Sequence, residues 1–372
     1  MKALRPEQFE ALLPNFKEIS TTPPAKPKVS VRILAYNHSE FIAQAIEGAL
    51  MQQTNFEFEL VIGEDCSTDG TRELVLNYQQ KHPDRIRLIL AEENGGKYTG
   101  NGRLNFVRTL QACRGEYIAL LDGDDYWTSP HKLQFQADCL DSHPEYAECG
   151  HQATILAYPE RKEVGFYGPD IRTQESSFGY SEILEANFIA TSSVMFRREF
   201  IQNLPKAIYF LPMADWPLHC LLASQGRIGW SYEPMGVYRH HPNAIWSSMG
   251  QIDIWKRIVY MYEVYLTYMD PAYHSLIKAK ISDWAFKIGL EHLKNADHAQ
   301  AKLFLAKCLR ANPLGCSAPK LEIIKVSLRT FIPSFFWFLS AAKQLIRRGS
   351  SRDQLGGAKD NPSPSNPPAG TD

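Results

Sequence analysis

The segment 118–127, IALLDGDDYW, runs four apolar residues into three carboxylates, Asp122, Asp124 and Asp125, with Gly123 among them. Like charges packed this closely repel, so the cluster needs a countercharge. A hard divalent cation, Mg2+ or Mn2+, is the usual one, and it typically brings substrate phosphates with it. A calcium EF-hand loop is excluded. Counted from Asp122, the places for an oxygen ligand, a glycine and a glutamate hold Tyr126, Trp127 and Leu133. Helix capping would account for one of Asp124 and Asp125, but not for three carboxylates behind an apolar run.

A strand must deliver that cluster, and the chain before it alternates strands with helices. VSVRIL (29–34) is a short β-branched run. Ile42, Ala45, Ile46, Ala49 and Leu50 follow at helical spacing. FELVIG (58–63) predicts a second strand, and Leu74, Val75 and Tyr78 a second helix. IRLILA (86–91) predicts a third strand, and Phe106, Val107, Leu110 and Cys113 a third helix. YIALLD (117–122) is the fourth strand, continuous and apolar up to Asp122. This alternation predicts an α/β fold with a mainly parallel sheet flanked by helices. Such sheets bind ligands at the carboxyl ends of their strands. Asp122 ends the fourth strand, Asp65 and Asp69 follow the second, and Tyr36 and Asn37 follow the first, so all reach one rim.

Composition sets the outer bounds. The 372 residues are 44% hydrophobic and 22% charged with a formal net charge of -1, which gives no argument for a nucleic-acid partner. The seven cysteines include no C-x-x-C pair and fit reduced thiols in a cytoplasm. The start, MKALRPEQFEALLPNFKEI, lacks the apolar core of a signal peptide, and no run of about 20 apolar residues predicts a membrane span. Residues 1–27 are expected to form a helix and a proline-rich linker, 28–248 the main domain, and 249–348 a helical C-terminal extension. Residues 349–372, rich in Pro, Ser, Gly and Asp, are expected to be disordered. Within the helical region, 284–313 reads as one helical hairpin. Residues 328–348, apolar and aromatic with a basic end, suit lying on a membrane surface. Docking against the protein's own core is the alternative.

VSVRILAYNHSEFIAQAIEGALMQQTNFEFELVIGEDCSTDGT together with RGEYIALLDGDDYW resembles the family 2 inverting glycosyltransferases of GT-A fold, over about residues 28–245. The resemblance implies transfer of a sugar from a nucleotide diphosphate donor, usually a uridine one, to a hydroxyl. It assigns Asp65 to the nucleotide base, although Glu64 stands where many members have Asp and Cys66 where they often have Gly. Asp122 and Asp124 match the D-x-D motif, the first near the ribose and the second on the metal, and Asp125 completes a D-x-D-D form. The usual arginine–asparagine pair ahead of the fourth strand is not evident, and GRLNFVRTL offers Arg103, Asn105 and Arg108 instead. Of these, Asn105 joins Tyr36 and Asn37 as a donor-binding candidate.

Inverting transfer also needs a base for the acceptor hydroxyl. Asp215, in MADWPLHCLL, resembles the family's acid at the start of a helix; a helix N-cap ahead of Pro217 is the competing role. VYRHHPNAIWSS (237–248) resembles the segment that closes over the donor. It offers Arg239 for the diphosphate, His241 for the metal or a phosphate, and Trp246 for stacking. Thr191 and Ser192 are candidates for the acceptor pocket. The function expected is a metal-dependent glycosyltransferase of surface polysaccharide synthesis. It would be cytoplasmic, peripheral at the inner face of the membrane where 328–348 binds lipid, with a saccharide or lipid-linked acceptor. The alternatives are a nucleotidyltransferase, which would be expected to carry a glycine-rich basic loop where AYNHSE stands, and a non-catalytic sugar-nucleotide-binding protein.

Overall fold

The architecture comes from a computed structural model describing residues 5–170, 172, 175–242 and 249–312. The chain divides into two compact units, Met1–Trp284 and Ala285–Asp372. Segment 328–348 and Trp246 lie outside the described residues.

The first unit is built on one sheet of eleven strands among the described residues. They are β1 (Phe16–Ile19), β2 (Val29–Ala35), β3 (Phe58–Glu64), β4 (Ile86–Ala91), β5 (Tyr117–Asp122), β6 (Tyr126–Trp127), β7 (Tyr146–Ala157), β8 (Lys162–Tyr167), β9 (Ser177–Phe178), β10 (Val194–Arg197) and β11 (Arg227–His240). The main order is β1-β4-β3-β2-β5-β10-β7-β11-β6. The four central strands β4, β3, β2 and β5 are parallel, as expected for runs buried on both faces. The parallel character ends there. β10 inserts antiparallel between β5 and β7, β11 runs parallel to β7, and the short strands pair antiparallel. The expected parallel centre is present, and the sheet as a whole is mixed. Two antiparallel steps restore direction, so the ends of β5, β7 and β11 face the same rim.

Helices cover both faces: α1 (Pro6–Leu12), α2 (Ile42–Leu50), α3 (Thr71–Lys81), the single turn α4 (Gly96–Thr99), α5 (Arg103–Ala112), α6 (Lys132–Ser142), α7 (Tyr180–Glu185), α8 (Asp215–Ala223) and α9 (Gln251–Tyr265). Val29, Val31 and Ile33 of β2 face one side and join Ile42, Ala45, Ile46 and Ala49 of α2 in the core. α5 packs on the other side. It comes close because β3 has a glycine there: a Cβ on Gly63 would lie 2.2 Å from Thr109 Cγ2 and 2.3 Å from Asn105 Oδ1. The segment 1–27 holds a strand as well as a helix: β1 pairs antiparallel with β4, Phe16 opposite Ala91, and closes that edge of the sheet. α10 (His274–Lys294) crosses the boundary between the units. In the second unit its end forms a hairpin with α11 (His298–Ala311), where Gly289 admits Leu305 and Asp297 caps α11 by accepting from Gln300 N at 3.2 Å.

Candidate active site

The loops after β2 and β3 are tied to each other before either meets a ligand. Asn37 N donates to Ser67 Oγ at 3.0 Å, and Asn37 Oδ1 accepts from Thr68 N at 2.9 Å. Asn37 holds φ 53, a left-handed conformation that asparagine tolerates. His38 N donates to Thr71 Oγ1 at 2.8 Å, and Ser39 N to Asp69 Oδ2 at 2.9 Å. Asp69 thus reaches the rim as expected, but as a brace between loops. Tyr36 stands exposed beside them.

The carboxylate cluster turns sharply after β5. Gly123 N donates to Leu34 O at 2.8 Å, and Asp125 N to Asp122 O at 3.1 Å. The middle residue must be glycine for want of space: a Cβ there would lie 2.7 Å from both Leu34 O and His38 Nδ1. That contact brings His38 Nε2 to 3.8 Å from Asp124 Oδ2, while His241, one residue past β11, places Nε2 at 3.1 Å from the same oxygen.

The three carboxylates differ in charge state. Burial works against ionising Asp124, but the hydrogen bond with His241 and the nearby His38 and His241 side chains hold its carboxyl below the usual range. Asp125 is buried, and burial together with the Asp124 charge pushes its carboxyl well above that range. It accepts from Arg239 N at 2.8 Å. Burial raises Asp122 to about 7, opposed by Arg32 and reinforced by Asp124 and Asp215. Arg32 is a buried guanidinium in the middle of β2, stacked 4.8 Å from the Phe106 ring, with Nη2 4.0 Å from Asp122 Oδ1. Asp124 is therefore the carboxylate of the cluster that ionises most readily, and it is flanked by imidazole nitrogens. The Asp124 carboxylate is the kind of oxygen ligand that suits Mg2+ or Mn2+. Among the described residues no group of three or more His, Cys, Asp or Glu side chains is arranged to hold a metal ion on its own.

Arg239 sits elsewhere than a diphosphate clamp would. Its guanidinium is buried between Phe41, 5.0 Å away, and Tyr126, 4.4 Å away, and donates to the carbonyl of Asp124 and to Gln44. It fixes the acidic turn from below. Asp65 is buried at the end of β3, accepting from Gly95 N at 3.0 Å. Burial raises it to about 6, against the pull of Gly95 N–H and Arg108. Asn105 does not join the rim: buried on α5, it donates to Gly63 O at 2.8 Å. Arg103 and Arg108 likewise bind backbone, at Leu211 O and at Leu13 O and Leu12 O.

Asp215 opens α8 rather than capping it; Ala214 is the N-cap and no side chain closes that end. Asn187 Nδ2 donates to Asp215 Oδ2 at 3.2 Å. Asp215 lies near enough to Asp122, Arg32 and Arg103 for its charge to act on each. Ser192 is buried in the turn Thr191–Ser193 and accepts from Trp127 Nε1 through its carbonyl at 2.7 Å.

Sequence reasoning missed His38, Arg32 and Asn187. A single arginine inside the apolar run VSVRIL was a usable signal, since a buried cation demands a partner. Nothing local marks His38 or Asn187.

Residues 30–203 match the family model described as glycosyl transferase family 2. An uncharacterized protein of Mycobacterium tuberculosis is 37% identical over 221 residues, 59% of this chain and 61% of the relative. The chain thus spans about three fifths of the length of that relative. The putative teichuronic acid biosynthesis glycosyltransferase TuaG of Bacillus subtilis is 30% identical over 47% of this chain and 64% of its own length. Among solved structures, S. aureus TarS 1–349 in complex with UDP-GlcNAc superposes with a TM-score of 0.59 at 19% identity, covering 81% of this chain and 88% of that one.

Proposed function

We propose that this chain is a family 2 glycosyltransferase of GT-A fold and that it transfers a sugar from a nucleoside diphosphate donor, a uridine one, to an acceptor hydroxyl with inversion. The observation that carries the proposal is the pairing of an ionised Asp124 beside His241 and His38 with a separate carboxylate, Asp215, set against the same cluster. One group suits a cation and its phosphates; the other suits a proton. The UDP-GlcNAc held by TarS and the role named for TuaG favour a UDP-sugar and a surface polysaccharide acceptor, saccharide or lipid-linked.

Asp124 and His241 would hold Mg2+ or Mn2+, whose contribution when bound is to neutralise charge on the leaving diphosphate. Asp65 accepts a hydrogen bond from the nucleobase, and Asp122, steadied by Arg32, faces the ribose. Tyr36 lines the entry. The acceptor oxygen bonds to the anomeric carbon as that carbon's bond to the β-phosphate oxygen breaks. The hydroxyl proton passes to Asp215, and the nucleoside diphosphate departs with the electron pair. The work is cytoplasmic in this proposal, and 328–348 brings the protein to the membrane face where lipid-linked acceptors reside. No described helix is long and apolar enough to cross a membrane.

The test is a panel of UDP-glucose, UDP-galactose, UDP-N-acetylglucosamine, UDP-glucuronate and GDP-mannose, each with Mn2+. Melting temperature and release of nucleoside diphosphate are measured with and without a mixed saccharide pool. At least one UDP-sugar should raise the melting temperature and turn over, and EDTA should abolish both effects. Silence across the panel, or full turnover in EDTA, overturns the proposal.

A further inference from the structure

Asn187 lies on the loop between α7 and the turn Thr191–Ser193, outside every motif of the family resemblance. Three bonds fix it. Its Oδ1 accepts from Ile189 N at 3.1 Å, its carbonyl accepts from Tyr167 Oη at 3.1 Å, and its Nδ2 donates to Asp215 Oδ2 at 3.2 Å. The first bond settles the amide's orientation: with the oxygen committed to a backbone N–H, the NH2 group must face Asp215. The second ties the loop to β8, so the amide is held from two sides. Ile189 is itself buried, which anchors the donor of that first bond.

We propose that Asn187 is a positioning residue for Asp215, occupying one carboxylate oxygen so that the other is aimed at the acceptor hydroxyl. This rests on Asp215 being the base. A carboxylate at the start of a helix can rotate about its terminal torsion, and a single donated hydrogen bond removes that freedom. Tyr167 acts one step further back by holding the backbone of Asn187. A displacement of the base by about 1 Å is enough to cost up to ~100-fold in rate.

The discriminating variant is Asn187→Asp. It keeps an oxygen for Ile189 N, so a purely structural role survives, but it withdraws the donor from Asp215. Asn187→Ala removes both bonds. With the donor that turns over in the panel above, kcat should fall about 10- to 100-fold in both variants, while KM for donor and acceptor stays within about twofold. The melting temperature of Asn187→Asp should stay close to that of the parent. A kcat within about twofold of the parent in Asn187→Asp overturns the positioning role, as does a loss expressed only in KM. If Asn187→Ala fails to fold, Asn187→Asp alone decides. Asp215→Asn runs alongside: retained turnover there removes the base itself, whereas lost turnover with an active Asn187→Asp removes only the positioning role.

Discussion

Asp124 and Asp125 are adjacent and identical in chemistry, yet their surroundings shift their carboxyls in opposite directions. His241 and His38 facing Asp124 favour its ionised form, and burial beside that charge favours the protonated form of Asp125. A protonated carboxyl that accepts from Arg239 N is close to an amide in shape and bonding. Asp125→Asn should therefore keep the Mn2+-dependent melting shift with a UDP-sugar and lose less than about tenfold in turnover. Asp124→Asn should lose the shift and the turnover together, because the only ionised oxygen between the two imidazoles goes. Equal damage in the two variants, read by thermal shift and diphosphate release, would refute this division. The sequence displayed the cluster because its members are neighbours in the chain. It could not display the division, which depends on His38 across the β2 loop and on Arg239 and His241 more than a hundred residues away. For the same reason Arg239 looked like a phosphate ligand. Only its burial between Phe41 and Tyr126 shows that it holds the turn.

At the scale of elements, β2 to β5 were legible because strands buried on both faces read as predominantly apolar runs, here despite Ser30, Arg32, Glu59 and Arg87. The second half hides its strands for physical reasons. β8 is exposed along almost its whole length, and β11 shifts register between Ser231 and Gly236, which breaks any alternation. α6 buries Lys132 and Gln136, so its apolar face does not stand out; the Lys132 ammonium sits 4.0 Å over the Trp127 ring and donates to Gln136 at 2.6 Å. Where elements meet closely, a single methyl is decisive. Gly63→Ala would drive a Cβ into Thr109 and Asn105, prising α5 from β3 just below Asp65. Denaturant unfolding should show a loss of about 1–3 kcal/mol. Adding Thr109→Ser, which removes the nearer of the two clashing atoms, should recover part of it. A Gly63→Ala protein as stable as the parent would mean that the helix can shift freely.

At the scale of the molecule, the sequence suggested a domain ending at 248, where the last family-like segment stops. Side chains beyond that point belong to the same compact unit. α9 buries Met261, Tyr262 and Tyr265. Tyr262 Oη donates to Leu184 O at 2.5 Å, and its ring meets Trp216 edge-on at 5.9 Å. Leu184 is on α7, just ahead of the Asn187 loop, and Trp216 directly follows Asp215. α9 therefore braces both ends of the arrangement that holds Asp215, and no chemical motif in its own sequence announces that role. Large aromatics of this kind contribute several kcal/mol each when fully buried, and removing them together exceeds the reserve of an ordinary domain. A chain of residues 1–284 should unfold cooperatively and keep the Mn2+- and UDP-sugar-dependent melting shift. A chain of residues 1–248 should show no cooperative transition by circular dichroism, or one lowered by well over 10 °C. If the shorter chain melts like the longer one and still turns over, α9 is dispensable and Asp215 must be held by α8 and the Asn187 loop alone.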